Sequence, residues 1–430
     1  MLHRRSRKRG TTLFVSLLVC AAASSVRAQQ QEWTLESATQ RALAVAPQRL
    51  AADARVAAQK GMLDQAGKWP NPSVELGADN TLGKEDGEGG TDFTQFTFKQ
   101  PIPLSGRIAY ARKQARSDLN QAESEVDQQR LALEYDAARA LHTLQRAGAE
   151  LRLAEERLRA ADELQNIGLR REQAGDLSRL ERLRLDVVRE TAMQTIATAE
   201  GEYSEALADF RTLLSLGELD PTFSALKSTP DLPNLADLES RLELHPTLVA
   251  ATHGIESAAH GVDLARANRV VDPEVWLSRE RDYIGGSRQD VTAVGVSVTL
   301  PLWDRGSGRI DTAQANKQKV QYERDALRLR LANQVRLNHL HLAHLIEQSE
   351  EYRMKVLFPA EDIFQLTRKG FAVGQVDILN LVDAVDTFFD ARLRHLELLT
   401  EAWLEAAELR RSAGIALSST QSHALEGNKQ

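Results

Sequence analysis

The stretch Lys99-Gln-Pro-Ile-Pro-Leu-Ser-Gly-Arg107 has a counterpart about 200 residues later, Thr299-Leu-Pro-Leu-Trp-Asp-Arg-Gly-Ser-Gly-Arg309. Each closes a strand-like segment with proline, which brings no N–H to a sheet ladder, and then opens a very long helical one. The duplication extends both ways. Upstream, Ala46-Pro47 matches His245-Pro246, and Asn71-Pro72 matches Asp272-Pro273. Downstream, Ala174-Gly175-Asp176-Leu177 matches Val373-Gly374-Gln375-Val376. A near-constant offset over so many markers means two similar units in tandem.

Residues 33–68 read as helix with an early break at Pro47, ended by Trp69-Pro70-Asn71-Pro72, because proline disfavours helix in the residue before it. Val74, Leu76 and Ala78 then alternate with Glu75, Gly77 and Asp79, which is a strand period. A glycine- and acid-rich loop over 81–91 leads to a second strand over 92–100. The next helix is predicted from about 105 to 165. Leu119, Val126, Leu133, Ala140, Ala147, Ala154 and Ala161 recur in it every seven residues, the signature of coiled-coil packing. At 1.5 Å per residue it would run roughly 90 Å. After a turn at 170–175, residues 176–216 return as helix. Pro221, Pro230 and Pro233 mark a linker.

The second unit repeats the plan. Helix over 236–268 precedes strands over 274–283 and 290–300, joined by a turn at 284–287. A long helix runs from 308 to about 369 with an irregularity at Pro359. A last helix follows to about 413, with Val382, Phe389, Leu396 and Trp403 spaced by seven. The expected organisation is a first repeat over 29–218 (strand hairpin 73–100, helical hairpin 105–216), a linker over 219–235, and a second repeat over 236–417 (strand hairpin 274–300, helical hairpin 305–414). A disordered tail over 418–430 completes it.

Residues 1–28 read as an export signal: Arg4, Arg5, Arg7, Lys8 and Arg9, then an apolar stretch over 13–23, then Val26-Arg27-Ala28 as a small-residue cleavage site. The only cysteine, Cys20, falls inside it; Val19 replaces the small residue that lipid attachment there would require. Cleavage removes six basic residues and no acids, so the net charge of −7 becomes −13. An acidic exported chain is a poor nucleic-acid binder. No later apolar run is long enough for a spanning helix, so any membrane element must be β, in strands of about 9–11 residues. Four strands cannot close a barrel, and open edges are not tolerated in lipid; three copies would supply twelve.

These elements together resemble the TolC family of outer-membrane efflux proteins, in its heavy-metal (CzcC-like) branch, from about residue 33 to 416. The two proline motifs above carry the resemblance, with Val373-Gly-Gln-Val-Asp-Ile-Leu-Asn-Leu-Val-Asp-Ala384. It implies a homotrimer with a twelve-stranded barrel in the outer membrane and a long α-helical coiled-coil barrel across the periplasm. It also implies two partners, a periplasmic membrane-fusion adaptor and a proton-driven inner-membrane pump of the RND type. No catalytic residue and no cofactor is expected. The helical turns then face the adaptor, which makes Gly175, Asp176, Leu177, Gly374, Val376 and Asp377 contact candidates. The resemblance also implies rings of acid narrowing the tunnel mouth: Asp383 falls on one such position, Asn380 occupies the other, and Asp386 and Asp390 extend the stretch.

His341 and His344 share a helix face, and His395 lies at a comparable distance from the turn on the paired helix. Imidazole is the commonest metal ligand, so the three are weak metal candidates beside the plainer reading as packing or surface histidines. Trp276 and Tyr283 suit a membrane interface, where amphipathic aromatics collect, and equally suit an ordinary sheet. No nucleophile elbow, phosphate loop or zinc-binding His-Glu-x-x-His is present, and an enzyme is not expected. Two other readings stay open: a soluble periplasmic coiled-coil structural or adaptor protein, or the same channel serving drug efflux or polypeptide secretion.

Overall fold

The computed structural model describes residues 32–79, 92–284 and 287–417; Cys20, the signal, the 81–91 loop and the tail lie outside them. Pro47 breaks the first helical stretch into α1 (Leu35–Val45) and α2 (Pro47–Ala66), and stands at the first position of α2, where its missing N–H costs nothing. Strands β1 (Ser73–Asp79) and β2 (Asp92–Pro101) follow. The next helix, α3 (Arg107–Ala174), is 68 residues long and about 100 Å. It runs nine residues past the expected end at 165, through Gly168, which packs closely against Leu185, to Gly175. Helix α4 (Arg179–Leu214) returns beside it. In the second unit a short α5 (Leu235–Ser240) and α6 (Pro246–Ala267) lead to β3 (Glu274–Ile284) and β4 (Ser287–Ser297). Strand β4 starts earlier and stops earlier than the alternation suggested.

The irregularity at Pro359 is a π-turn over Arg353–Leu357 between α7 (Ser307–Tyr352) and α8 (Phe358–Ala372). Proline cannot donate to the carbonyl four residues back and clashes with it, and the widened turn absorbs both problems. Helix α9 (Ile378–Ser412) is the last helix of the described chain, which continues to residue 417. No helix among the described residues is long and apolar enough to cross a membrane.

The strands form one antiparallel sheet in the order β1-β2-β3-β4. The register aligns Val74, Phe98, Leu277 and Val294 in one row, and all four are exposed. The opposite face carries Glu75, bound to Lys99 at 2.5 Å, with Thr97 and Ser278 buried between neighbours. Trp276 also lies on that polar face, its ring across Gly295 so closely that a Cβ there would be 2.4 Å from it. Of the two readings of Trp276, this placement favours an ordinary sheet residue, because strand alternation sets it on the face opposite Val275 and Leu277. The side chain of Tyr283 lies outside the described residues. Exposed Trp69, Leu104, Leu302 and Trp303 gather instead where sheet meets helices.

Arg107 and Ser105 bind Asp272 at this joint, and the Ile102 N–H donates to the Pro273 carbonyl at 2.8 Å. The first unit's Ser-Gly-Arg thus clasps the second unit's Asp-Pro. Around the helical part, α2 packs on α3, α3 on α6, and α6 on α7; farther from the sheet, α4 packs on α3, α3 on α9, and α9 on α7 and α8. The buried series Leu185, Ala192, Ala199 and Ala206 seats α4 with a seven-residue repeat. The same sequence of elements recurs at every level, from β1, α2 and α4 at one flank to β4, α7 and α8 at the other.

The segment between the units runs across the middle of the helices. Gln145 donates to the Ser224 carbonyl at 2.9 Å and Trp403 to the Ser228 carbonyl at 2.8 Å. Behind it His142 is buried against Trp403, and burial pushes its pKa below the ordinary 6.5; His245, capping α6, is shifted down for the same main reason. In the unfolded chain both take up protons near pH 6.5, while in the fold they stay neutral to lower pH. The unfolded state then binds more protons, so stability falls as pH drops through that window. Thermal unfolding is expected at lower temperature at pH 5 than at pH 7, with the difference reduced in His142→Gln. An unchanged pH dependence in that variant would remove His142 from the account.

Candidate functional site at the helical turns

At the far end from the sheet, α3 turns into α4 and α8 into α9 by the same geometry. Gly175 and Gly374 have φ of +82° and +80°, a conformation in which a side chain is strained. The Asp176 N–H reaches back to the Arg171 carbonyl at 2.9 Å and the Gln375 N–H to the Gly370 carbonyl at 2.9 Å. Both close the helix ends with left-handed C-terminal caps. The next helices are capped equally locally. Ser178 and Glu181 form a reciprocal capping box, and Asp377 accepts from the Asn380 N–H at 3.0 Å.

Arg171 joins the two turns. Its guanidinium donates to the Phe371 carbonyl at 3.0 Å and to the Asp176 carbonyl at 3.4 Å, and lies over the Phe371 ring at 4.9 Å. Beneath it is an apolar cluster that includes Ile167, Leu185, Phe364, Phe371, Ile378 and Phe388, with Phe364 and Phe388 stacked at 4.9 Å. Leu177 belongs to this cluster at 7 % exposure. It holds α3 against α4 and offers no contact surface, contrary to expectation. Gly175, Asp176, Gly374 and Asp377 are exposed; Val376 is half-buried against Gly370.

The acids of α9 divide into two groups. Asp386 binds Arg157 of α3 at 2.5 Å, and Asp390 binds the same guanidinium at 3.4 Å. Arg157 also sits over the Phe389 ring, so these two acids tether α9 to α3. Asp383 is exposed, with no ion-pair or hydrogen-bond partner among the described residues. Asn380 uses its side-chain amide on Asp377 at 2.8 Å, so it serves the helix cap. Arg171 and Arg157 were missed in the sequence. The available signal was weak: a base in the last turn of α3, where it favours the helix end, and an arginine whose acid partners lie some 230 residues away.

The three histidines do not converge. His341 Nδ1 lies 3.2 Å from Glu405 of α9, His344 is exposed, and His395 is half-buried with Nδ1 unpartnered. Burial, then the Arg353 charge, pushes the His395 pKa down. No group of three possible ligands occurs among the described residues. Of the three, only His341 has a carboxylate partner among the described residues, and the weak metal candidates form no ligand set there.

Two open-flanked helical hairpins continuing a sheet with one apolar and one polar face describe a channel segment, and comparison with known proteins agrees. The family model described as outer membrane efflux protein matches residues 38–216 and 238–415, one match to each repeat. The chain belongs to the outer membrane efflux protein family. This is a family of channels, not enzymes. Among curated relatives, the cobalt-zinc-cadmium resistance protein CzcC of Cupriavidus metallidurans is 27% identical over 365 residues, covering 83% of this chain and 84% of that one. The nickel-cobalt-cadmium resistance protein NccC of Alcaligenes xylosoxydans is 23% identical, with 73% and 71% covered. Among solved structures, CusC superposes with a TM-score of 0.75 at 18% identity, covering 90% of this chain and 93% of that one. The fold is thus that of a TolC-like channel subunit.

Proposed function

We propose that three copies of this chain close into an outer-membrane channel that passively conducts divalent heavy-metal cations, delivered by an inner-membrane pump through a periplasmic adaptor. The observation that carries the assembly is the matching pair of open flanks. Strands β1 and β4 are both edge strands, and unpaired strand edges cannot remain in lipid. Twelve strands from three copies give a closed, even-numbered barrel. The apolar sheet face then meets hydrocarbon and the Glu75–Lys99 face lines water. The relatives named for cobalt, zinc, nickel and cadmium resistance support the choice of cargo.

In this reading the helical turns form the periplasmic mouth. Arg171 and the Arg157–Asp386 pair hold the four helices of each copy together there. An adaptor opens the mouth by contacting a splayed state better than the closed one, through Gly175, Asp176, Gly374, Val376 and Asp377. Deleting the gene in its host should raise sensitivity to cobalt, zinc or cadmium, and the wild-type gene should restore tolerance. Unchanged tolerance to all three, with lost tolerance to a drug, would move the cargo elsewhere.

Asp383, without a partner among the described residues, is the proposed cation-favouring ring. Rings of acid raise cation occupancy in a pore. Asp383→Asn should therefore lower the cation-to-anion permeability ratio severalfold in planar bilayers, and Asn380→Asp should raise it. Equal ratios in all three proteins would place Asp383 outside the conduction path.

A further inference from the structure

The apolar face of the sheet ends on charge. Along β3, away from the helices, Val275 and Leu277 are followed on the same face by Arg279 and Arg281. Along β4, Val296 and Val294 are followed by Thr292 and Asp290. Arg279 donates to Asp290 at 2.8 Å and Arg281 to its other oxygen at 3.3 Å, while both guanidinia stay more than half exposed. One carboxylate between two arginines leaves a positive charge on a face otherwise built for hydrocarbon.

The height of this charge is set by the chain itself. Trp303, 91% exposed, marks the other limit of the band at the joint with the helices. At about 3.3 Å per residue, the chain from Trp303 back to Asp290 covers at most ~40 Å. A strand tilt near 40° makes the height at most ~30 Å, against the ~25 Å apolar band of an outer-membrane barrel. In the channel reading, the end of the apolar run along β3 and β4 at Arg279, Arg281 and Asp290 assigns them to headgroup level in the leaflet farther from the helices, on the lipid side. An arginine facing lipid is costly unless an anion meets it, and its planar fork of donors matches phosphate oxygens.

We propose that Arg279 and Arg281 bind the phosphate of an anionic lipid headgroup in the outer leaflet, in competition with Asp290, which offsets one of their two charges. The inference rests on the membrane-channel reading above. Free phosphate offers the same oxygens but no acyl chains to lie along Leu277 and Val294, so the site takes lipid.

The test uses the full-length assembled protein in detergent, with native mass spectrometry counting retained phosphorylated glycolipid, its dephosphorylated form, or inorganic phosphate. Wild type should hold the phosphorylated glycolipid about tenfold more tightly than Arg279→Gln/Arg281→Gln, and both should hold the dephosphorylated form weakly and equally. Asp290→Asn should retain more phosphorylated lipid, because it frees both forks. Equal retention in wild type and the double variant, or displacement by inorganic phosphate alone, overturns the site. Should the double variant not assemble, Asp290→Asn decides, and retention no higher than wild type overturns it. A wild-type chain absent from the membrane fraction would instead overturn the channel reading itself.

Discussion

Val187→Asp is expected to yield a folded chain that no longer forms the trimer. Val187 is 65% exposed on α4, in line with exposed Leu180 and Leu183, while the buried series through Leu185 and Ala192 faces α3 and is untouched. At the other flank, α8 exposes Leu366 at 70%, beside Ile363. In the proposed ring these rows meet, α4 of one copy against α8 of the next. A carboxylate placed between them would be desolvated without a partner, at a cost of several kcal/mol at every junction. Because the ring repeats the junction, the cost falls on each copy. Sizing of the detergent-solubilised protein should show a monomer with normal helical content, and Leu366→Asp should behave alike. A trimer of undiminished stability in both variants would refute this pairing of flanks.

Phe371→Ala should loosen the helical turns without unfolding the middle of the molecule. Phe371 is fully buried, packs in the cluster with Phe364 and Phe388, and lies under the Arg171 guanidinium. Truncating a buried phenylalanine costs about 3–5 kcal/mol, in lost burial and the cavity left behind. The second buried cluster, around Phe210 and Leu144, shares no residue with the first, so the loss should stay local. Hydrogen exchange should accelerate over residues 164–185 and 364–389, with protection near Leu144 retained. Uniform loss of protection along the chain would mean that the helices unfold as one unit.

Much of this molecule was legible because it is specified locally. The break at Pro47, the glycine turns at Gly175 and Gly374, the seven-residue seams and the strand alternation each depend on residues within one turn or one strand period. A left-handed turn needs glycine, a ladder stops at proline, and a long seam needs small or apolar residues at every seventh place. The tandem repeat multiplied these signals, so four strands and two helical hairpins followed from a single chain. The length of α3 was underread because Gly168, close to the expected end, is there for close packing on Leu185 and does not stop the helix.

Tertiary structure decided what depends on residues far apart in sequence. Arg171 meets Phe371, and Arg157 meets Asp386, across 200 and 229 residues, and no local pattern encodes such a meeting. Leu177 looked like a turn residue and proved to be core, because burial depends on what packs against it. Asn380 stood where an acid was expected and serves a cap; His341 stood in a row of histidines and faces Glu405. Trp276 joined the polar face because register, set by β2 and β4, orients a strand as a whole. The sequence by itself determined the elements, their order and their duplication, which are short-range consequences of backbone preference and periodicity. Which side chains share a site was decided only when the chain folded and brought distant residues within reach of one another.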